Sequence, residues 1–186
     1  MKAAAAVVVA AIALGGTLAG WLLWLDPPLH TAAKAVTRVW QEVDWPFPID
    51  QWGRGKSFRC KAADCGVDVT LYLRAKIGFC NCTTGVADDD DLDRMGDTTL
   101  LGEVSPLGSG HPISIAWMKG RSRAYTLNSR RARGKTVVSV VYNERCDMIA
   151  ATALVSNDRP ETIEASVIEF LGSSTTMRWA EVTLGL

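Results

Sequence analysis

The hydrophobic pattern of this chain changes character twice. It opens with an uncharged run, Ala3 to Leu25, closed by Asp26, Pro27 and Pro28. A helix rises about 1.5 Å per residue, so the run can cross a hydrocarbon core of roughly 30 Å. Trp21 and Trp24 near its far end suit the headgroup layer. Residues 1–25 therefore read as a signal anchor, a single transmembrane helix. The run exceeds the apolar core of about 7–15 residues found in cleaved signal peptides. Cleavage near Ala19, which would give a secreted form, is the alternative. Trp21 stands where a lipoprotein would need its acylated cysteine. Lys2 makes a short head, and a long domain follows. That arrangement puts residues 26–186 on the extracytoplasmic, periplasmic-type side of the cytoplasmic membrane.

The second pattern has helical period. Leu29, Ala32, Ala33, Val36, Val39, Trp40 and Val43 recur at three- and four-residue steps. Residues 26–48 thus read as a juxtamembrane amphipathic helix ending in a Pro-rich linker, Trp45-Pro46-Phe47-Pro48. Residues 49–66 read as loop.

Period-two alternation then takes over. Val67, Val69, Leu71, Leu73, Ala75, Ile77 and Phe79 alternate with polar residues, as in a strand with one buried and one wet face. Asp88 to Met95 reads as a short capped helix. Ile113, Ile115 and Trp117 alternate, Lys119-Gly120-Arg121 supplies a turn, and residues 123–127 return. Val137–Tyr142 and Met148–Val155 read as two more strands. Pro160 begins a helix with an apolar stripe of Ile163, Val167, Phe170 and Leu171, closed by Gly172. Met177–Leu184 reads as a final strand. The expected class is α+β. One exported domain, residues 49–186, carries an antiparallel meander of five or six strands packed with a long C-terminal helix and shorter helices. A meander, a helix and a closing strand resemble in outline the photosystem-associated PsbP type of domain. No motif is shared, and the resemblance implies no site residue.

Composition narrows the function classes. The 186 residues carry 20 basic and 20 acidic side chains, so no global field favours nucleic acid. No P-loop, dinucleotide fingerprint or G-x-S-x-G motif is present. With two histidines, a Ser–His or Cys–His pair would need His111, oriented by Asp147 or another acid.

The five cysteines carry most of the distinctive chemistry. In an exported domain they default to disulfides. Cys60, Cys65, Cys80, Cys82 and Cys146 are all candidates. A single strand over 66–79 would hold its ends more than about 40 Å apart, which disfavours Cys65–Cys80. Cys60–Cys65, with Cys80 or Cys82 joined to Cys146, is the preferred set. A thiol-redox or metal-delivery role for Cys80 and Cys82, with Cys146, is the alternative, with Arg145 as the cation beside the thiolate. Zinc on Cys60, Cys65, Cys80 and Cys82 has no common ligand spacing behind it.

Three other groups stand out. The acids at 89, 91 and 93 resemble the start of a calcium loop but lack its glycine and closing glutamate. Arg121, Arg123, Arg130, Arg131, Arg133 and Lys135 form a basic stretch suited to an anionic surface. Trp40, Trp45, Phe47 and Trp52 suggest an interaction patch near the membrane. Together these readings favour a membrane-anchored, non-enzymatic envelope domain that binds or supports another envelope component, with no cofactor. A thiol-redox protein and a small-ligand carrier are the alternatives.

Overall fold

The computed structural model describes residues 39–128, 135–156 and 160–186. The Ala3–Leu25 run, most of the juxtamembrane segment, and Arg130, Arg131 and Arg133 lie outside the described residues. Among those described, no helix is long and apolar enough to cross a membrane.

Eight strands form one antiparallel sheet. They are β1 (Trp40–Val43), β2 (Lys56–Cys60), β3 (Val69–Lys76), β4 (Val104–Pro106), β5 (His111–Ile115), β6 (Met118–Leu127), β7 (Thr136–Glu144) and β8 (Asp147–Val155). Their order is β1-β2-β3-β8-β7-β6-β4, and β5 also pairs with β6. The helices are α1 (Ala62–Cys65), α2 (Asp89–Met95), α3 (Pro160–Leu171) and α4 (Ser174–Leu184).

The central hairpin, β7 and β8, is apolar on both faces, the pattern of strands that must be covered twice. Val138, Val140 and Tyr142 pack with Leu71, Leu73, Ala151 and Ala153 beneath Ile163, Val167 and Leu171 of α3 and Met177, Ala180 and Leu184 of α4. On the other face, Val141, Met148 and Ala150 pack against Leu92 and Met95 of α2.

Four expectations change. The sheet has eight strands rather than five or six, because short edge strands also join it. Trp40–Val43, expected at the end of a helix, is edge strand β1, paired with Ser57–Cys60. Its 36/39/40/43 spacing fits a helix, but the open edge of β2 supplies backbone partners, and Trp40 stacks on Phe170 at 4.6 Å. The 49–66 stretch, expected as loop, contains β2 and α1. Met177–Leu184 is helix α4, not a closing strand. Thr176 Oγ1 donates to the carbonyls that end α3, including Phe170 O at 2.6 Å and Leu171 O at 2.9 Å. Met177, Ala180 and Leu184 then face the core while Val182 stays 78% exposed. The outline resemblance rested on that closing strand and loses it.

The β5–β6 turn is also shifted. It falls at Ala116–Trp117, and Gly120 lies inside β6. A Cβ at Gly120 would stand 2.0 Å from Val141 O and 2.6 Å from Tyr142 Cα. The glycine is there for close packing, not for turning. Gly120→Ala is therefore expected to destabilise by about 3 kcal/mol, the upper end of overpacking costs. Gly108→Ala, at a positive φ in open space, is expected to cost about 1 kcal/mol. Urea unfolding of both variants checks this, and equal losses would contradict the packing argument.

Candidate functional site

The sheet end where β3 and β7 finish and β6 and β8 start gathers three of the five cysteines. Cys82 and Cys146 form a disulfide with Cα atoms 4.1 Å apart. Cys60 and Cys65 form the second bridge, across α1. Cys80 is a free thiol, only 7% exposed. Its N–H donates to the Cys146 carbonyl at 3.2 Å, and its Sγ to the Arg145 carbonyl at 3.2 Å. Burial pushes the Cys80 thiol up, and the charge of Asp147 adds to this. The Arg145 side chain, expected beside a thiolate, is 84% exposed. It is the Arg145 backbone, with φ 55°, that meets the thiol. Cys80 is held as a quiet neutral thiol rather than an activated thiolate. With Cys60, Cys65, Cys82 and Cys146 bridged, the zinc set and the three-cysteine metal set each keep one thiol, Cys80. Among the described residues no group of three or more metal-ligating side chains comes together.

Beside the Cys82–Cys146 bridge lies an open groove of about 350 Å³. One wall is the loop of residues 82–85. Trp117 and Lys119 from the β5–β6 hairpin form another, and Asn143, Glu144 and Arg145 close the third. The loop is rigid for local reasons. Asn81 Oδ1 accepts the N–H groups of Thr83 and Thr84 at 2.8 and 3.2 Å, an Asx-type turn. Gly85, at φ 63°, sits against Asn143, where a Cβ would stand 2.3 Å from Oδ1. Trp117 is 54% exposed at the hairpin tip. Lys119 makes no ion pair among the described residues, and Arg145 reaches Glu144 at 4.0 Å. The groove therefore presents an aromatic ring with the Lys119 and Arg145 cations and the Glu144 carboxylate. The sequence pattern puts Trp117 on a strand, alternating with Ile113 and Ile115. The turn falls at Ala116–Trp117, three residues before the expected start at Lys119, and leaves Trp117 at its tip.

The acidic and basic runs meet each other. Asp88 caps α2 by accepting from the Asp91 N–H at 2.8 Å. Asp89 receives Arg121 Nε at 2.8 Å and the Gly110 N–H at 2.9 Å. Asp93 receives Arg123 at 3.0 Å and the Tyr125 hydroxyl. Arg121 and Arg123 also bind the carbonyls of Gly110 and Gly108. Arg121 and Arg123 thus stand against α2 and its neighbouring loop rather than forming an open basic face. The acids expected as a calcium loop are the other half of those pairs, except Asp91, which pairs with Arg94.

The aromatic residues divide between two faces. Trp40 lies on the α3 face against Phe170. Trp45 is 8% exposed and packs edge-on with Phe47 and Tyr72. Trp52 and Phe79 pair over Lys76 Nζ, 5.8 and 5.2 Å from the ring centroids. Beneath them Arg74 binds both oxygens of Asp97 at 2.8 and 2.7 Å, and Lys76 reaches Asp97 at 2.9 Å. Asp50 closes the set on Arg74 at 2.5 Å. These side chains cover a buried ion network whose members pair with one another, as buried charge requires.

His111 Nε2 lies 3.2 Å from Glu164 Oε1 of α3, not beside Asp147. Ser122 is its cross-strand neighbour. The Ser122 hydroxyl is buried and makes no hydrogen bond, so the two do not form a nucleophile–base pair.

The α2–β6 pairing has a pH signature. The Gly110 N–H and Arg121 hold the Asp89 carboxyl below its ordinary value of 3.8. A depressed carboxylate stabilises the fold above its unfolded pKa, and that contribution is lost as pH falls through the folded one. Asp89→Asn is expected to lower stability at neutral pH, with the gap to wild type narrowing below the ordinary value and closing only once the pH falls below the lowered folded one. Urea titrations across the acid range check this. A difference that persisted in strong acid would contradict it.

No protein-family model, curated protein or solved structure matches the chain.

Proposed function

We propose that this chain is a membrane-anchored, extracytoplasmic binding domain that holds another envelope protein at the groove beside the Cys82–Cys146 bridge. The observation that carries the reading is the contrast between this groove and the rest of the charged surface. Asp89 and Asp93 of α2 and Arg121 and Arg123 of β6 neutralise each other. Trp117, Lys119 and Arg145 remain open together. An exposed tryptophan flanked by Lys119 and the largely exposed Arg145 suits a partner segment with an apolar side chain and a carboxylate, since aromatic and cationic anchors dominate protein interfaces. Two disulfides support an oxidising compartment. The Ala3–Leu25 run supplies the hold on the membrane.

Two measurements test this. Peptide mapping of the native membrane fraction, with thiols trapped before lysis, is expected to give both bridges and a single trapped thiol at Cys80. Five reduced cysteines would overturn the extracytoplasmic placement. A photo-crosslinking residue at position 117 of the full-length chain is expected to give one discrete adduct that Lys119→Glu weakens at least about tenfold, as loss of a central charged anchor does. The same probe at Thr175, exposed on α4, is expected to give none. Identical adducts from both positions would reject the groove.

A further inference from the structure

Cys146 has two cysteines beside it and is bridged to only one. The Cys80 N–H donates to the Cys146 carbonyl at 3.2 Å, so the two backbones lie side by side. The Cys80 thiol already lies on the turn that carries Cys146, at the Arg145 carbonyl. The three sulfurs are also unequal in access: Cys82 is exposed on the groove, Cys146 is half-buried, and Cys80 is buried.

We propose that Cys80, Cys82 and Cys146 form a thiol–disulfide exchange site, in which Cys82 is the position that bonds an outside sulfur. In the first step Cys80 gives its proton to solvent and its thiolate attacks Cys146 Sγ. The Cys80–Cys146 bond forms, the Cys82–Cys146 bond breaks, and the electron pair leaves on Cys82 Sγ. Nothing is oxidised or reduced overall. In the second step the exposed Cys82 thiolate attacks a low-molecular-weight disulfide. A mixed disulfide forms on Cys82, and the other half of the small molecule leaves as a thiolate, which takes a proton from solvent. The small disulfide is the oxidant. Burial of Cys80 keeps the first step slow and the resting pairing at Cys82–Cys146. The exchange stands on its own geometry and does not require a protein in the groove.

The test uses the full-length chain in detergent, with glutathione disulfide as the probe and peptide mapping as the readout. One glutathione on Cys82, together with a Cys80–Cys146 bridge, is expected. Cys80→Ser is expected to form that adduct at least about tenfold more slowly, since the attacking thiol is gone. Cys82→Ser is expected to close the Cys80–Cys146 bridge while its circular dichroism stays that of wild type. Should Cys82→Ser fail to fold, the wild-type and Cys80→Ser maps decide alone. Glutathione on Cys80 with the Cys82–Cys146 bridge intact would overturn the proposal. So would a native protein that takes no glutathione while its guanidine-unfolded form is labelled, or equal adduct rates on Cys82 with and without Cys80.

Discussion

The double-faced central hairpin is the constraint on which the rest of the domain depends. β7 and β8 expose apolar side chains above and below the sheet, so each face needs its own cover. One face receives two full helices, α3 and α4, which bury a continuous stripe. The other receives only α2, seven residues long, with Leu92 and Met95 buried. Two apolar anchors are little for a helix that would not form alone in water. Its remaining hold is polar: Asp89 on Arg121, and Asp93 on Arg123 and Tyr125.

That division of labour explains where the charge of the domain goes. A neutral chain with a dense acidic run and a dense basic run has two simple fates for them. They face outward as separate binding surfaces, or they meet. For Asp89, Asp93, Arg121 and Arg123 they meet. Nearer the β1 side of the sheet, Arg74, Lys76, Asp97 and Asp50 do the same beneath Trp52 and Phe79. What stays open is the sheet end, where a disulfide, a rigid Asx-turn loop and two tight hairpins leave a groove between them. Function is most economically sought there because Asp89, Asp93, Arg121, Arg123, Arg74, Lys76, Asp97 and Asp50 already have partners inside the domain.

Much of the sheet was legible in the sequence. Alternation over Val69–Lys76, the apolar runs of β7 and β8, and the cap at Asp88 each follow from one local rule. Helix α3 was legible from Pro160 and its stripe. Three features were not. β1 depends on the free edge of β2, a partner remote in sequence, and its residues fit a helical period as well. α4 is short, and its tail of Trp179, Val182 and Thr183 has strand-like composition. Only the stacking of Met177, Ala180 and Leu184 on the core decides for helix. The groove required knowing that Ala116 takes a positive φ, which no local signal announces. The cysteine pairing was narrowed by distance arguments, but the choice between Cys80 and Cys82 depended on which faces inward. Cys80 is the buried one, packed with Val86, Leu92 and Met148.

The central claim is that the acidic and basic runs fasten this domain internally. A double-mutant cycle on Asp93 and Arg123 tests it most directly. The account predicts that Asp93→Asn and Arg123→Gln each destabilise the fold, while the double variant loses clearly less than the sum of the two. Strictly additive losses, or two single variants as stable as wild type, would contradict it.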